Sequence, residues 1–162
     1  MLGASSQTLT LSGSTIWADP RILPLKNVPV LRPGSGDERI PPEGLAASIA
    51  EALRRWDLGG DSGSFAIALA LEPSLEFTRL QAYAGALAEF ARSLPEAAPL
   101  IVIIKHDYAQ ALGQTLKGLA GSRPLLIIDQ VGLEEGDYID IGTPLMDGRV
   151  VPLVIKTLIF YH

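Results

Sequence analysis

An α/β fold, a three-layer sandwich around a mostly parallel sheet, is predicted by three features of this sequence. Continuous apolar runs of strand length recur at 65–71, 100–104 and 125–128. Amphipathic helical repeats separate them, and the chain closes with an alternating strand, an Asp-Gly reversal and a long strand. Strands apolar at every position suit a sheet covered on both faces, because a strand with one wet face alternates. Helices between the strands call for parallel pairing through right-handed crossovers, with helices expected on both sides. The predicted core is βαβαβ, followed by a C-terminal β-hairpin.

The elements follow in order. Ser12-Gly13-Ser14-Thr15 reads as a turn leading into a strand, with a hydroxyl-rich anion nest as the lesser alternative. Residues 18–44 carry Pro20, Pro24, Pro29, Pro33, Pro41 and Pro42. Proline fixes φ and removes a donor, so the stretch is a stiff connector with at most one short strand, 28–31. A domain boundary is expected there, drawn so that 26–162 form the α/β domain. Leu45, Ile49, Ala52, Leu53 and Trp56 repeat at helical spacing behind Pro41-Pro42, and Gly59-Gly60 ends the repeat.

Leu80, Tyr83, Ala84, Leu87, Phe90, Ala91 and Leu94 form a second helix stopped by Pro95. Asp107 is placed to cap a third, whose apolar face is Tyr108, Ala111, Leu112, Thr115 and Leu119. Tyr138-Ile139-Asp140-Ile141 alternates, and Asp147-Gly148 is a hairpin turn pair. The closing strand, 150–160, contains Pro152, which marks an edge, a bulge or a bend because it cannot donate to a ladder.

Composition narrows the function. At 162 residues the chain is long enough to bury roughly 70% of its unfolded surface. With 48% hydrophobic and 19% charged residues it is core-rich rather than disordered. A net charge of −5, with Arg54-Arg55 the only adjacent basic pair, argues against nucleic acid or an anionic membrane as partner. The chain has no cysteine, which excludes disulfides, thiolate nucleophiles and cysteine-ligated zinc, and fits a reducing cytoplasm. No apolar run approaches the ~20 residues that span a bilayer, so a soluble, cytoplasmic protein is expected.

Ligands of layered α/β sheets gather at the carboxyl ends of strands. That rim holds Glu72, Lys105, His106, Asp107, Asp129 and Gln130. Lys105-His106-Asp107 is the one cluster of varied titratable groups, with His106 available as an acid-base or ligand group beside a carboxylate. A single histidine without a nucleophile or second ligand is more simply a loop residue. Gly60-Asp61-Ser62-Gly63 has the letters of a serine-protease nucleophile loop without the fold or a histidine partner motif, and reads as a turn. Around 135–145 the pattern resembles a biotinyl or lipoyl carrier hairpin, but the turn tip is Asp147-Gly148 and not a lysine. No metal site or catalytic constellation emerges.

Both ends of the chain carry longer motifs. Leu2-Gly3-Ala4, Thr8-Leu9 and Leu11-Ser12-Gly13-Ser14-Thr15-Ile16-Trp17 form one; GDYIDIGTPL at 136–145, with Gly148, Val150-Val151-Pro152, Val154, Lys156-Thr157-Leu158 and Phe160, forms the other. Between them 99–129 agrees in pattern, and 33–98 only in element order. On these residues the chain resembles the C-terminal part of the ethanolamine utilisation protein EutA family, the reactivating factors of ethanolamine ammonia-lyase.

The resemblance implies an actin-like ATPase in the complete protein. It helps the lyase exchange damaged cobalamin for intact adenosylcobalamin, with ATP and Mg2+ as cofactors. Residues 1–25 are then the remnant of the ATPase domain and the start of a linker. Gly3, Ala4 and Ser5 would be the remnant of its adenosine-side turn, although Ser5 stands where the family has a second glycine and Gln7 where it has histidine. Both Asp-x-Gly phosphate loops are missing, so no cofactor and no catalysis are expected of this chain alone. The implied partners are the lyase and the missing ATPase domain. Two rivals stay open: a small-molecule-binding domain using the rim at Glu72, Lys105–Asp107 and Asp129, and a structural or dimerisation module, which would make the chain a homo-oligomer.

Overall fold

A computed structural model of the chain describes residues 3–18, 23–34, 40–55, 64–71, 74–129, 138–143 and 150–161. The elements are β1 (Gly3–Ala18), β2 (Leu25–Leu31), α1 (Pro42–Arg55), β3 (Ala66–Leu69), α2 (Phe77–Ala91), β4 (Leu100–Ile104), α3 (Ala109–Ala120), β5 (Leu125–Asp129), β6 (Tyr138–Ile141) and β7 (Val150–Tyr161). The fold is α/β, as the alternation of apolar strands and amphipathic helices requires.

Sheet topology departs from expectation in one respect. The strands run β1-β5-β4-β3-β2-β6-β7 and close on themselves. The pairs β2/β3, β3/β4 and β4/β5 are parallel. The pairs β1/β5, β1/β7, β2/β6 and β6/β7 are antiparallel. The sheet is therefore mixed: a parallel half, β2 to β5, is closed by an antiparallel half, β6, β7 and β1. The expected C-terminal hairpin is present, with Tyr138 opposite Lys156 and Ile141 opposite Leu153. Its turn, Asp147-Gly148, lies outside the described residues.

The helices do not lie on both sides. Residues of α1, α2 and α3 share one core with Leu31, Ile67, Leu69, Leu100, Val102, Ile104, Leu125 and Ile127. The alternate strand residues form a second core that contains no helical residue. The reason is winding direction. Crossovers of one hand that always step the same way along a sheet, here β2 to β3 to β4 to β5, lay every helix on the same face. The other face is covered by the antiparallel half, so the three layers are helices, parallel strands and antiparallel strands.

This arrangement accounts for the LIVII pattern of β4. Leu100, Val102 and Ile104 meet the helices while Ile101 and Ile103 point into the closed interior, and all five are buried. Each such side chain stabilises the fold by roughly 1.5–3 kcal/mol relative to exposure.

The helices start and stop for local reasons. In α1 Pro42 occupies the first turn, where its missing donor costs nothing. Glu43 at that end and Arg54 and Arg55 at the other complement the helix dipole. Helix α2 buries Leu80, Tyr83, Ala84, Leu87 and Phe90, and Phe90 meets Phe65 edge to face at 6.2 Å. It ends at Ala91, three residues before the predicted limit at Leu94. The last turn tightens, with the Ser93 and Leu94 amides donating to Phe90 and Ala91 carbonyls at 3.0 Å, because residues ahead of Pro95 are pushed out of the α region. Arg123 secures this end: Nη1 donates to the Pro95 and Ala98 carbonyls, both at 2.8 Å.

Three further readings are corrected or located. The connector strand begins earlier than residue 28, at Leu25, with a bulge before Val28 and Asn27 at φ 54°. The Asn27 amide donates to Asp140 Oδ1 at 2.8 Å, which pins the bulge to β6. Ser12–Thr15 is not a turn: these residues continue β1, with Ser12 opposite Pro152 and Ser14 opposite both Val150 and Asp129. An extended ladder spends its amides on neighbouring strands, so no anion nest forms there. Pro152 lies one residue before the β6/β7 ladder starts, and its carbonyl accepts from the Gly142 amide at 2.9 Å.

Candidate functional site

The carboxyl ends of the parallel strands β2 to β5 lie along one rim of the sheet. At the ends of β2 and β3, a small open crevice, with room for about one water-sized group, is lined by Arg32, Pro33, Ile40, Leu45, Tyr83 and residues 68–71. Tyr83 is fixed in its wall: its hydroxyl donates to the Ile40 carbonyl at 3.0 Å, and the Arg79 guanidinium lies 5.7 Å from its ring centroid. A buried tyrosine keeps its hydroxyl satisfied in this way. Arg32 is the one charged residue among those that line the crevice.

Lys105, His106 and Asp107 form the loop from β4 to α3, beside the end of β3 but not in the lining of the crevice. Lys105 and Asp107 are exposed and His106 is half-buried. The loop turns tightly, with the Tyr108 amide donating to the His106 carbonyl at 2.9 Å. Glu72 and Gln130 lie outside the described residues, as does the 60–63 loop. Among the described residues no three histidine or carboxylate groups come close enough to hold a metal ion.

Asp129 behaves differently from its neighbours on the rim. It is fully buried at the end of β5, the one buried polar or charged residue among those described. Its Oδ2 accepts from the Ala109 amide at 3.1 Å. The cap expected of Asp107 is thus supplied from another strand: Asp107 is exposed, and the residue before α3, Tyr108, makes no side-chain cap bond. A carboxylate at a helix N-terminus meets an orphan amide and the positive end of the dipole, which offsets its desolvation. Because Asp129 also sits opposite Ser14, it ties β1, β5 and α3 together at one point.

Gly3, Ala4 and Ser5 are strand residues, opposite Tyr161, Phe160 and Ile159. Arg32 and Tyr83 are the rim groups that sequence reasoning missed. Their signal was faint: Pro33-Gly34, separated by Arg32 alone from the end of a strand, marks a strand-end loop, but nothing local brings a helix tyrosine to it.

Comparison with known proteins places the chain. The family model described as ethanolamine utilisation protein EutA matches residues 1–161. Two curated relatives, each called ethanolamine ammonia-lyase reactivase EutA, come from Salmonella typhimurium strain LT2 and Escherichia coli strain K12. Each is 38% identical over 160 residues, covering 99% of this chain and 33% of the relative. The chain spans about a third of the length of these relatives and corresponds to their C-terminal third. No solved structure matches. A family match over nearly every residue, together with that identity across the whole chain, shows that the chain belongs to the ethanolamine utilisation protein EutA family.

Proposed function

We propose that this chain is the C-terminal portion of a reactivating factor that helps ethanolamine ammonia-lyase release damaged cobalamin and accept intact adenosylcobalamin in the cytoplasm. The observation that carries the reading is the match of residues 1–161 to the family, with relatives named as reactivases of that lyase. ATP and Mg2+ belong to the remaining portion of the complete protein, which binds and hydrolyses the nucleotide. Residues 1–25 lead out of that portion and supply β1 to the closed sheet of the C-terminal α/β domain, whose remaining elements fall, but for Leu25 at the start of β2, within 26–162. The first strand, laddered to β5 and β7, is the mechanical connection between them.

The thermodynamics constrain how such a factor works. A binder with equal affinity for the damaged and repaired lyase shifts nothing, however tightly it binds. Nucleotide state must therefore alter lyase affinity, and the α/β domain is the element that touches the lyase or transmits the state. The test is co-purification of the lyase with this chain and with the complete family protein, combined with recovery of activity from cobalamin-inactivated lyase. Recovery is expected only with the complete protein and ATP. Nucleotide turnover by this chain alone, or failure of the complete protein to bind the lyase, overturns the reading.

A second reading, small-ligand binding, would have to use the Arg32 crevice at the ends of β2 and β3, whose small size argues against it unless the rim opens. Thermal-shift measurement with nucleotides, cobalamins and short amines distinguishes it. A large shift that disappears in Arg32→Ala supports a ligand site.

A further inference from the structure

Strands β1 and β7 pair over twelve residues, from Gly3 opposite Tyr161 to Ser14 opposite Val150. The ring of the sheet uses only part of this ribbon. On one side β5 ladders with β1 from Ser14 onward. On the other, β6 ladders with β7 from Leu153 to Lys156, and Lys156 lies opposite Thr8. Among the described residues, no strand flanks the five pairs beyond, Gly3–Gln7 with Thr157–Tyr161, on either side. The ribbon thus projects past the ring as a two-stranded arm roughly 16 Å long.

Two physical facts make such an arm informative. A two-stranded ribbon without a third strand or a packed face is marginal in water. Its outer edges also present rows of unpaired amides and carbonyls, which proteins guard with charges, prolines or bulges. The arm has no such guards: GASSQ and TLIFY contain no Asp, Glu, Lys, Arg or Pro. An unguarded, apolar-bearing edge is suited to accept a strand.

We infer that the arm Gly3–Gln7 with Thr157–Tyr161 is an edge-pairing surface, and that its occupant is a strand from the remaining two-thirds of the polypeptide in the full-length family protein. The family match covers the arm on both strands, through residue 161, while the relatives are about three times as long as this chain. A strand in the same polypeptide acts at an effective concentration of about millimolar, which a second copy in solution does not reach. The inference rests on the ladder register and on family membership, not on lyase reactivation. Lyase binding and arm pairing can therefore fail independently.

The test is hydrogen exchange resolved to single amides, on this 162-residue chain and on the full-length Escherichia coli relative, with sedimentation to fix the oligomeric state. In an isolated ribbon, alternate amides point outward and stay unprotected. The expected result is a slowing of at least about 100-fold for the outward amides in the full-length protein, with none in the monomeric chain. Outward amides that exchange freely in the full-length protein overturn the inference. So does protection in this chain accompanied by a dimer, which would make the occupant a second copy.

Discussion

The two faces of the parallel strands are packed by different means. Toward the helices, Ile67, Val102 and Ile127 meet side chains of mixed shape and chemistry, including an edge-to-face phenylalanine pair and a tyrosine whose hydroxyl finds a carbonyl. Toward the interior, among the described residues, Ala66, Ala68, Ile101, Ile103 and Ile128 meet aliphatic residues, among them Ile139, Ile141, Leu153 and Ile155 of other strands and Leu23 ahead of β2. The helix-facing side is a joint between independent elements. The interior is a ring whose members are laddered to one another. A helix can shift to fill a void, whereas a closed ladder resists collapse, so equal losses of volume should not cost the same on the two faces.

The largest expected effect tests that difference directly. Ile103→Ala, in the interior, should destabilise by about 4 kcal/mol, while Leu53→Ala, at the edge of the helix layer, should cost about 2.5 kcal/mol. Urea denaturation of both variants checks the order, and equal costs would mean that ring closure does not restrict relaxation. Asp129 joins the ring to the helix layer. Asp129→Ala should cost about 2 kcal/mol by leaving the Ala109 amide without its partner. Asp129→Asn keeps an acceptor and should lose less, and Asp107→Ala should stay within about 0.5 kcal/mol of the parent.

Smaller effects sharpen the contrast at the far ends. Arg123→Ala removes charged donors from three carbonyls beyond α2, those of Leu94, Pro95 and Ala98, and should cost about 1.5 kcal/mol, with little rescue by Arg123→Lys because a lysine lacks the planar fork. In the antiparallel half, Asn27→Ala places a side chain without local polar compensation at φ 54° and should cost about 1 kcal/mol. Asn27→Gly should be neutral or stabilising, and thermal midpoints of the pair separate backbone strain from lost contacts.

Much of this was legible along the chain. β4 spans residues 100–104 and β6 spans 138–141, as the apolar run and the alternation indicated. Of the stripe Leu45, Ile49, Ala52, Leu53 and Trp56, the first four lie on the buried face of α1, and Trp56 is outside the described residues. What misled was of two kinds. Asp107 looked like a cap because capping was sought next to the helix, whereas the cap came from Asp129, twenty residues on in sequence. Ser12-Gly13-Ser14-Thr15 looked like a turn because its composition is turn-like, but β5 and β7 hold it extended from either side. The candidate site was less legible than the fold: Lys105, His106 and Asp107 could be placed on the rim, but the Arg32 crevice depends on Tyr83 arriving from α2.

Local or linear properties of the sequence, namely hydrophobic period, proline placement and end motifs, were enough for the helices, the apolar strands β3 to β5, the buried face of α1 and the family. They were not enough for the face of α3, which buries Ala109, Leu112, Gly113 and Leu116 and leaves the expected Leu119 exposed. Tertiary structure alone decided that the helices share one face and that the first strand lies between the fifth and the last. Those outcomes depend on the direction in which successive crossovers step and on ladders between residues far apart in the chain. No periodicity along a single strand encodes its neighbour.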